Sequence, residues 1–343
     1  MHPEGTSFVA ASLGSNDLPT RAVRSIGSRL APSLLLMPLT VAAALLAGAA
    51  GLTGQEIDRS ALMRDMSVLA HDSMQGRRVG TPESALARGW IMSRLRGMGL
   101  SPREQSFEAR EGSEGVNVIA EIPGRGGAVG RIVLTAHYDH LGVRGGEVFN
   151  GADDNASGTA GVLAIASVLA HAPLEHDLTI ILFDAEEGGL RGARAYVESL
   201  QASGELSQLA LNLNLDMVSR SEESLWVTGT HQNPSLRPLV ESISPVSGVV
   251  LRFGHDTDDL PPADNWVSAS DHGPFHAAGV PFLYFGVEDH PDYHGSGDDV
   301  EKVDPVWYSG AIETILRSLR ALDAGIGSGG DADADPSAGA DVG

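Results

Sequence analysis

The order of its apolar segments constrains the fold of this chain more than any other feature. From residue 116 onward, short and almost wholly apolar runs alternate with segments typical of helices. The runs predicted as strands are Val116–Ile122, Ile132–Ala136, Leu178–Phe183, Leu211–Leu215, Leu225–Thr228 and Phe282–Phe285. The predicted helices are Ala160–Ala170, Leu190–Leu200, Leu236–Ile243 and Val306–Leu322. Near-continuous apolar strands separated by helices predict an α/β fold, a three-layer α/β/α sandwich around a mostly parallel mixed sheet.

Two further helices are predicted ahead of this alternation, at Ile57–Ala70 and Pro82–Met98. In the second, Leu86, Trp90 and Leu95 fall on one stripe at helical spacing. The 343 residues of the chain are enough for one large domain with a sizeable core. We therefore predict a single catalytic domain over residues 56–324.

The two ends of the chain have a different composition. At the amino end, Arg21, Arg24 and Arg29 precede an uncharged run from Leu34 to Ala50. This order is typical of a secretory signal peptide, so residues 1–55 are predicted to be a polar extension plus a leader, and the protein to be exported, periplasmic or secreted. The alternative is a membrane anchor that is not cleaved. Residues 325–343 contain mainly Gly, Ala and Asp and are predicted to be a disordered acidic tail.

The charge and the absence of cysteine exclude several classes of function. The formal net charge is −22, which repels nucleic acid and anionic lipid. We therefore predict no nucleic-acid partner, and no stable membrane partner apart from an uncleaved leader. Because the chain has no cysteine, thiolate zinc sites and a cysteine nucleophile are excluded. Any metal site must use His, Asp and Glu.

Residues with metal-binding side chains follow the predicted strands in five consecutive segments. In open α/β sheets, functional sites gather in the loops beyond the carboxyl ends of the strands. The residues at these positions are His137 and Asp139, Asp153 and Asp154, Glu186 and Glu187, Asp216, and His294. Each one taken alone has a structural explanation, such as a helix cap for Asp153 and Asp154. Their convergence on one edge of the sheet favours a shared functional site.

The number of these side chains matches a site for two zinc ions. Two tetrahedral sites that each keep one open position need six ligand positions, and a bridging carboxylate reduces these to five residues. The five predicted ligands are His137, Asp154, Glu187, Asp216 and His294. Glu186 is then free to act as a general base, and Asp139 to hold the far nitrogen of His137. His71, His171, His176 and His231 show no pattern and are predicted to lie at the surface, and His272 to be buried and structural.

The motifs around these residues resemble those of peptidase family M28, a family of zinc aminopeptidases. They are HYDH at 137–140, GADDNASG at 151–158, DAEEGGLRGA at 184–193, LNLDM at 213–217, SDHGPF at 270–275 and YHGSGDD at 293–299. The resemblance covers roughly residues 60–322, and GRRVGTPES at 76–84 is similar to a segment of secreted bacterial members. It implies that His137 and Asp216 hold one zinc ion, that Glu187 and His294 hold the other, and that Asp154 bridges them.

The resemblance also implies a reaction: hydrolysis of the amino-terminal bond of peptides that have a free amino terminus, with Glu186 as the general base. Two enzymatic alternatives share the architecture, a carboxypeptidase and a glutaminyl cyclase. A binding module without catalysis is disfavoured because no ligand and no base is missing. The chain departs from some family members at Val267, where they have a tyrosine that polarises the scissile carbonyl.

Overall fold

The computed structural model describes residues 56–109, 112–221, 223–246 and 248–326. The predicted leader at 1–55 lies outside these residues, as does the predicted tail from residue 327 onward. Within the described ranges, no helix has both the length and the apolar character needed to cross a membrane.

The main sheet of the described residues has eight strands. In chain order they are β1 (Arg103–Glu108), β2 (Glu114–Ile122), β3 (Arg131–His137), β6 (Asp177–Phe183), β7 (Leu209–Leu215), β8 (Ser224–Thr228), β9 (Val250–Phe253) and β10 (Phe282–Gly286). Their order across the sheet is β1-β2-β6-β3-β7-β10-β8-β9. A separate hairpin is formed by β4 (Gly142–Arg144) and β5 (Glu147–Phe149). The four neighbouring strands β6, β3, β7 and β10 run parallel, so their carboxyl ends meet at one edge.

Helices cover both faces of the sheet and produce the predicted three layers. The helices are α1 (Arg59–Leu69), α2 (Pro82–Gly97), α3 (Gly158–Leu169), α4 (Arg191–Ser203), α5 (Arg237–Glu241), α6 (His272–Ala277) and α7 (Pro305–Ile326). Side chains alternate between the two faces of each strand: Ile180 and Leu182 pack in the larger core with α1, α3 and α7, whereas Ile181 and Phe183 pack in the smaller core with α4 and α6. This arrangement confirms the predicted α/β sandwich.

Three features of the fold differ from the sequence-based expectations. The edge strands β1 and β9 and the β4–β5 hairpin differ from the prediction, which did not include them: β1 has Phe107 as its one apolar residue, β9 has only four residues, and both strands are partly exposed. The predicted helix at 236–243 is limited to Arg237–Glu241. The surface position predicted for His176 is wrong, because this residue is fully buried and its Nδ1 lies 2.8 Å from Oδ1 of Asp323 on α7.

Candidate metal centre

The predicted ligands meet at the carboxyl edge of the parallel strands. His137 is the last residue of β3 and pairs in register with Phe183, the last residue of β6. The chain after β6 reaches Glu186 and Glu187 within four residues, and Asp216 directly follows the end of β7. Parallel pairing therefore brings together side chains that are far apart in the sequence.

Asp154 comes from an irregular turn that is tied to the end of β7. The peptide bond between Asp154 and Asn155 is cis. The Asn155 side chain donates to the carbonyl of Leu215 at 2.9 Å and accepts from the backbone N–H of Gly158 at 2.8 Å. Asp153 accepts hydrogen bonds from the backbone N–H of Ser219 at 2.8 Å and from its hydroxyl at 2.7 Å. Asp153 thus fastens the turn, and Asp154 remains available to the site.

The first half-site comprises His137, Asp216 and the Oδ1 oxygen of Asp154. Nε2 of His137 lies 3.2 Å from Oδ1 of Asp216 and 3.4 Å from Oδ1 of Asp154. Glu186 is adjacent, because its carboxylate, His137 and Asp216 each present a ligand atom within 4.8 Å of the others. This half-site is almost completely buried.

The second half-site comprises Glu187, His294 and the Oδ2 oxygen of Asp154. Nε2 of His294 lies 3.2 Å from Oδ2 of Asp154 and 3.4 Å from Oε2 of Glu187. The two oxygens of Asp154 therefore face different half-sites, as a bridging carboxylate must. The His294 backbone has a φ of 53°, in the left-handed region, and its side chain is partly exposed.

The distances within each half-site fit a tetrahedral metal ion. Bonds of about 2.0–2.2 Å to nitrogen and oxygen place neighbouring ligand atoms about 3.3–3.6 Å apart in a tetrahedron. The four contacts described above measure 3.2–3.4 Å. They join imidazole nitrogens to carboxylate oxygens, and these are the ligand types that suit zinc. The donor atoms present could thus hold a metal in each half-site.

Glu186 and Glu187 are adjacent in the sequence but have different electrostatic surroundings. Burial is the main reason that the pKa of Glu186 is raised well above its ordinary value, and the carboxylates of Asp271 and Asp216 raise it further. For Glu187, burial also raises the pKa, but the contacts with His140 and His294 outweigh it and lower the pKa. The protein surroundings therefore favour a proton on Glu186 and an ionised Glu187.

Asp139 supports the site by a contact that differs from the expected one. Nδ1 of His137 lies 3.1 Å from the backbone oxygen of Asp139 and 3.8 Å from its carboxylate. The carboxylate instead accepts a hydrogen bond of 3.0 Å from the backbone N–H of Glu186. Asp139 therefore orients His137 through its main chain and the Glu186 segment through its side chain.

A cavity of about 330 Å³ opens beside both half-sites. It is lined by Asp154, Glu186, Glu187, Gly189, Leu190, Asp216, Met217, Ser268, Ala269, Tyr293 and His294. The Tyr293 ring stacks on that of His294, with ring centroids 4.0 Å apart. Burial, and then the carboxylates of Asp154 and Asp216, raise the pKa of Tyr293, so its hydroxyl keeps its proton. Val267 does not line this cavity.

Two residues of the quoted motifs have roles that the sequence reasoning missed. His140 is buried, and its Nδ1 lies 2.8 Å from Oε1 of Glu187. Arg77 is fully buried, and its guanidinium donates to four backbone carbonyl oxygens. His140 was visible as the last letter of HYDH, but five ligands already completed two tetrahedral sites. Nothing in the sequence indicates that Arg77 is buried, because arginine is rarely found in a core.

Comparison with known proteins agrees with this geometry. The chain is 33% identical to aminopeptidase YwaD of Bacillus subtilis over 178 residues, which is 50% of this chain and 36% of that protein. The chain thus spans about a third of the length of this relative, and it spans 48% of each of two other curated relatives.

Solved structures share the fold at low sequence identity. BSAP, a zinc aminopeptidase from Bacillus subtilis, superposes with a TM-score of 0.64 at 18% identity, over 79% of this chain and 96% of that one. The glutaminyl cyclase of Porphyromonas gingivalis superposes with a TM-score of 0.62 at 20% identity, over 78% and 99%. The fold therefore does not by itself distinguish the two activities.

The model of the family "Peptidase family M28" matches residues 117–318, which include the residues of both half-sites, Glu186 and Tyr293. With the alternating strands and helices, the shared Asp154 and the ligand distances, this match shows that the chain belongs to peptidase family M28.

Proposed function

We propose that this protein is an exported aminopeptidase that uses two divalent metal ions, zinc by preference, to hydrolyse the first peptide bond of peptides with a free amino terminus. The observation that carries the proposal is that the two carboxylate oxygens of Asp154 face different half-sites: Oδ1 faces His137 and Oδ2 faces His294. A carboxylate shared in this way is what a pair of metal ions requires.

The residues of the site divide the chemistry among them. When bound, the metal ions would polarise the scissile carbonyl and make a water molecule more acidic. Glu186 takes a proton from the attacking water and delivers it to the nitrogen of the leaving amine. Its raised pKa makes the ionised form of Glu186 a stronger proton acceptor than an ordinary glutamate.

Tyr293 is the proposed replacement for the tyrosine that some family members have at the position of Val267. It lines the cavity, and its hydroxyl stays protonated and can therefore donate a hydrogen bond. A donor next to a reacting carbonyl stabilises the negative charge that develops on the oxygen.

Specificity for the amino end rests on the family membership and on charge. The site is lined by carboxylates, and the whole chain carries a formal net charge of −22. Both features attract the cationic amino end of a peptide and repel its carboxylate. The proposal of export rests on the basic, apolar and Ala-rich order of residues 21–50.

Matched peptides that differ only at their ends test the proposed activity. We expect stepwise loss of residues from the amino end of a free or carboxyl-amidated peptide, no cleavage after acetylation of the amino end, and loss of activity with a chelator. Mass spectrometry identifies the products. Removal of residues from the carboxyl end alone would instead establish a carboxypeptidase.

The glutaminyl cyclase alternative is tested in the same experiment. A peptide that begins with glutamine loses ammonia on cyclisation and keeps all its residues, whereas an aminopeptidase shortens it. Elemental analysis of the purified protein adds an independent measurement, for which we expect about two metal ions per chain. One tightly bound ion together with cyclised product would overturn the aminopeptidase proposal.

A further inference from the structure

We propose that His140 is a positioning residue of the second half-site, which holds the Oε1 oxygen of Glu187 so that Oε2 faces His294 and Asp154. This inference rests on the proposed function, because it concerns how the chain prepares one of its two metal sites. It assigns a role to the last residue of the HYDH motif.

The contacts of His140 point to this role. The ring is buried, and its Nδ1 lies 2.8 Å from Oε1 of Glu187. Neither ring nitrogen, nor Oε1, forms a hydrogen bond of ordinary geometry with any residue that the structure describes. Buried polar atoms are costly to leave without a partner, and the close contact between Nδ1 and Oε1 allows a small rotation of either side chain to pair them.

His140, Asp154 and Glu187 each present a ligand atom within 4.8 Å of the others, so direct metal binding is the alternative to a positioning role, and the individual distances favour positioning. The contacts within each half-site measure 3.2–3.4 Å, which fits atoms that share a metal ion. The contact from His140 to Oε1 of Glu187 is shorter, at 2.8 Å, and that to Oδ2 of Asp154 is longer, at 3.8 Å. His140 therefore touches the carboxylate oxygen of Glu187 that faces away from His294.

The surrounding backbone holds the His140 ring in this place. A side chain at Gly151 would collide with the ring, because an added Cβ would lie 2.5 Å from its Cγ and Cδ2 atoms. The Arg77 guanidinium donates to the carbonyl of Gly151 at 3.0 Å and to that of Tyr138 at 2.7 Å. Arg77 thus ties the backbone of Gly151, which lies against the ring, to the backbone of the segment that carries His140.

The expected consequence is a selective loss of metal affinity. A ligand that loses its hydrogen-bonding partner typically binds metal about 10–100 times more weakly. Since His140 contacts Glu187, the loss should fall on the second half-site. In the first half-site, His137 and Asp216 contact each other, and only the shared Asp154 links them to the second half-site.

Zinc titrations of the metal-free protein, read by competition with a chromophoric chelator, test this inference without any measurement of catalysis. The variants are His140→Ala, His140→Asn and His140→Gln, with His171→Asn as a control at an exposed histidine. The amide nitrogen of an asparagine at position 140 can occupy the place of the histidine Nδ1. The amide nitrogen of a glutamine lies instead near the place of the histidine Nε2. We expect about 10–100-fold weaker binding of one of two zinc ions in His140→Ala and His140→Gln, near wild-type binding of both in His140→Asn, and no change in the control.

Each outcome bears on a specific part of the proposal. Wild-type affinity for both ions in His140→Ala would show that His140 does not position Glu187. Equal weakening in His140→Asn and His140→Ala would mean that the imidazole binds the metal directly. If His140→Ala fails to fold, as judged by circular dichroism of the metal-free protein, the comparison of the Asn and Gln variants still decides the question. A wild-type protein that binds fewer than two ions would refute the two-metal function itself.

Discussion

The two half-sites of the candidate metal centre are built from different parts of the fold. In the first, His137 and Asp216 extend from the ends of central parallel strands, and their side chains are 1% and 11% exposed. In the second, His294 lies in the loop after β10 and its side chain is 42% exposed. Strand ends fix a side chain through the hydrogen bonds of the sheet, whereas a loop residue depends on its few neighbours. The comparison indicates that the sheet holds the ligands of the first half-site in place, whereas His294 in the second half-site depends on contacts with neighbouring side chains.

Two adjacent glutamates divide their contacts between these half-sites. Glu186 lies with His137 and Asp216, and Glu187 lies with His294. Because the chain turns sharply here, with Ala185 at a φ of 59°, side chains that are neighbours in the sequence serve different purposes. In the proposed function, proton transfer therefore lies with the half-site that is formed at the strand ends.

The largest expected effect comes from replacing Glu186 and Glu187 one at a time. We expect Glu186→Gln to lower kcat by about 10²–10⁴ while two metal ions remain bound, because only the base is lost. The matched variant Glu187→Gln should lose one metal ion, since an amide is a poorer ligand than a carboxylate. Steady-state kinetics and elemental analysis measure both effects. Wild-type kcat in Glu186→Gln would show that the base is another residue.

A smaller effect is expected from Tyr293, which stacks on the exposed ligand of the second half-site. We expect Tyr293→Phe to lower kcat by about 10², because the ring and its stacking are kept and only the hydroxyl is removed. KM and the metal content should hardly change. A loss of metal without a specific loss of kcat would assign Tyr293 to support of His294 instead.

The smallest effect concerns the wild-type protein. If the first half-site is rigid and the second adaptable, the two zinc ions should bind with dissociation constants that differ by about tenfold or more, or about 1.4 kcal/mol. Stepwise titration of the metal-free protein measures this difference, and Glu187→Gln identifies the weaker step. Two equal constants would contradict the structural contrast between the half-sites.

The central strands of the sheet could be predicted from the sequence because each of them coincides with a run of mainly apolar residues. The strands β3, β6, β7 and β10 are almost wholly buried and each has an apolar face in the larger core, and their ends locate Glu186, Glu187 and Asp216. The edge strands β1 and β9 could not be predicted in this way. β1 pairs with β2, which follows it directly in the chain, and β9 pairs with β8, but both edge strands are short and partly exposed and so give a weak local signal.

The same limit applies within the candidate site. Side chains that follow a strand can be predicted to share an edge, but contacts made across that edge cannot. His140 touches Glu187 only because β3 and β6 lie side by side. Tyr293 could be quoted from the sequence as the neighbour of His294, yet its place in the cavity depends on how the loop after β10 folds back. His176 was misjudged because its partner, Asp323, is 147 residues away.

The buried guanidinium of Arg77 has a consequence for where this domain begins. The family match starts at residue 117, but Arg77 donates to the carbonyls of Tyr138, Asn150 and Gly151, which lie in the sequence between two residues of the candidate metal centre. A shortened chain starting at residue 117 would lose these three charge-assisted hydrogen bonds, which contribute about 1.5–3 kcal/mol each. Such a chain would also lack β1, which pairs along β2. We therefore expect the minimal piece that can carry the candidate metal centre to begin well upstream of the residues that match the family.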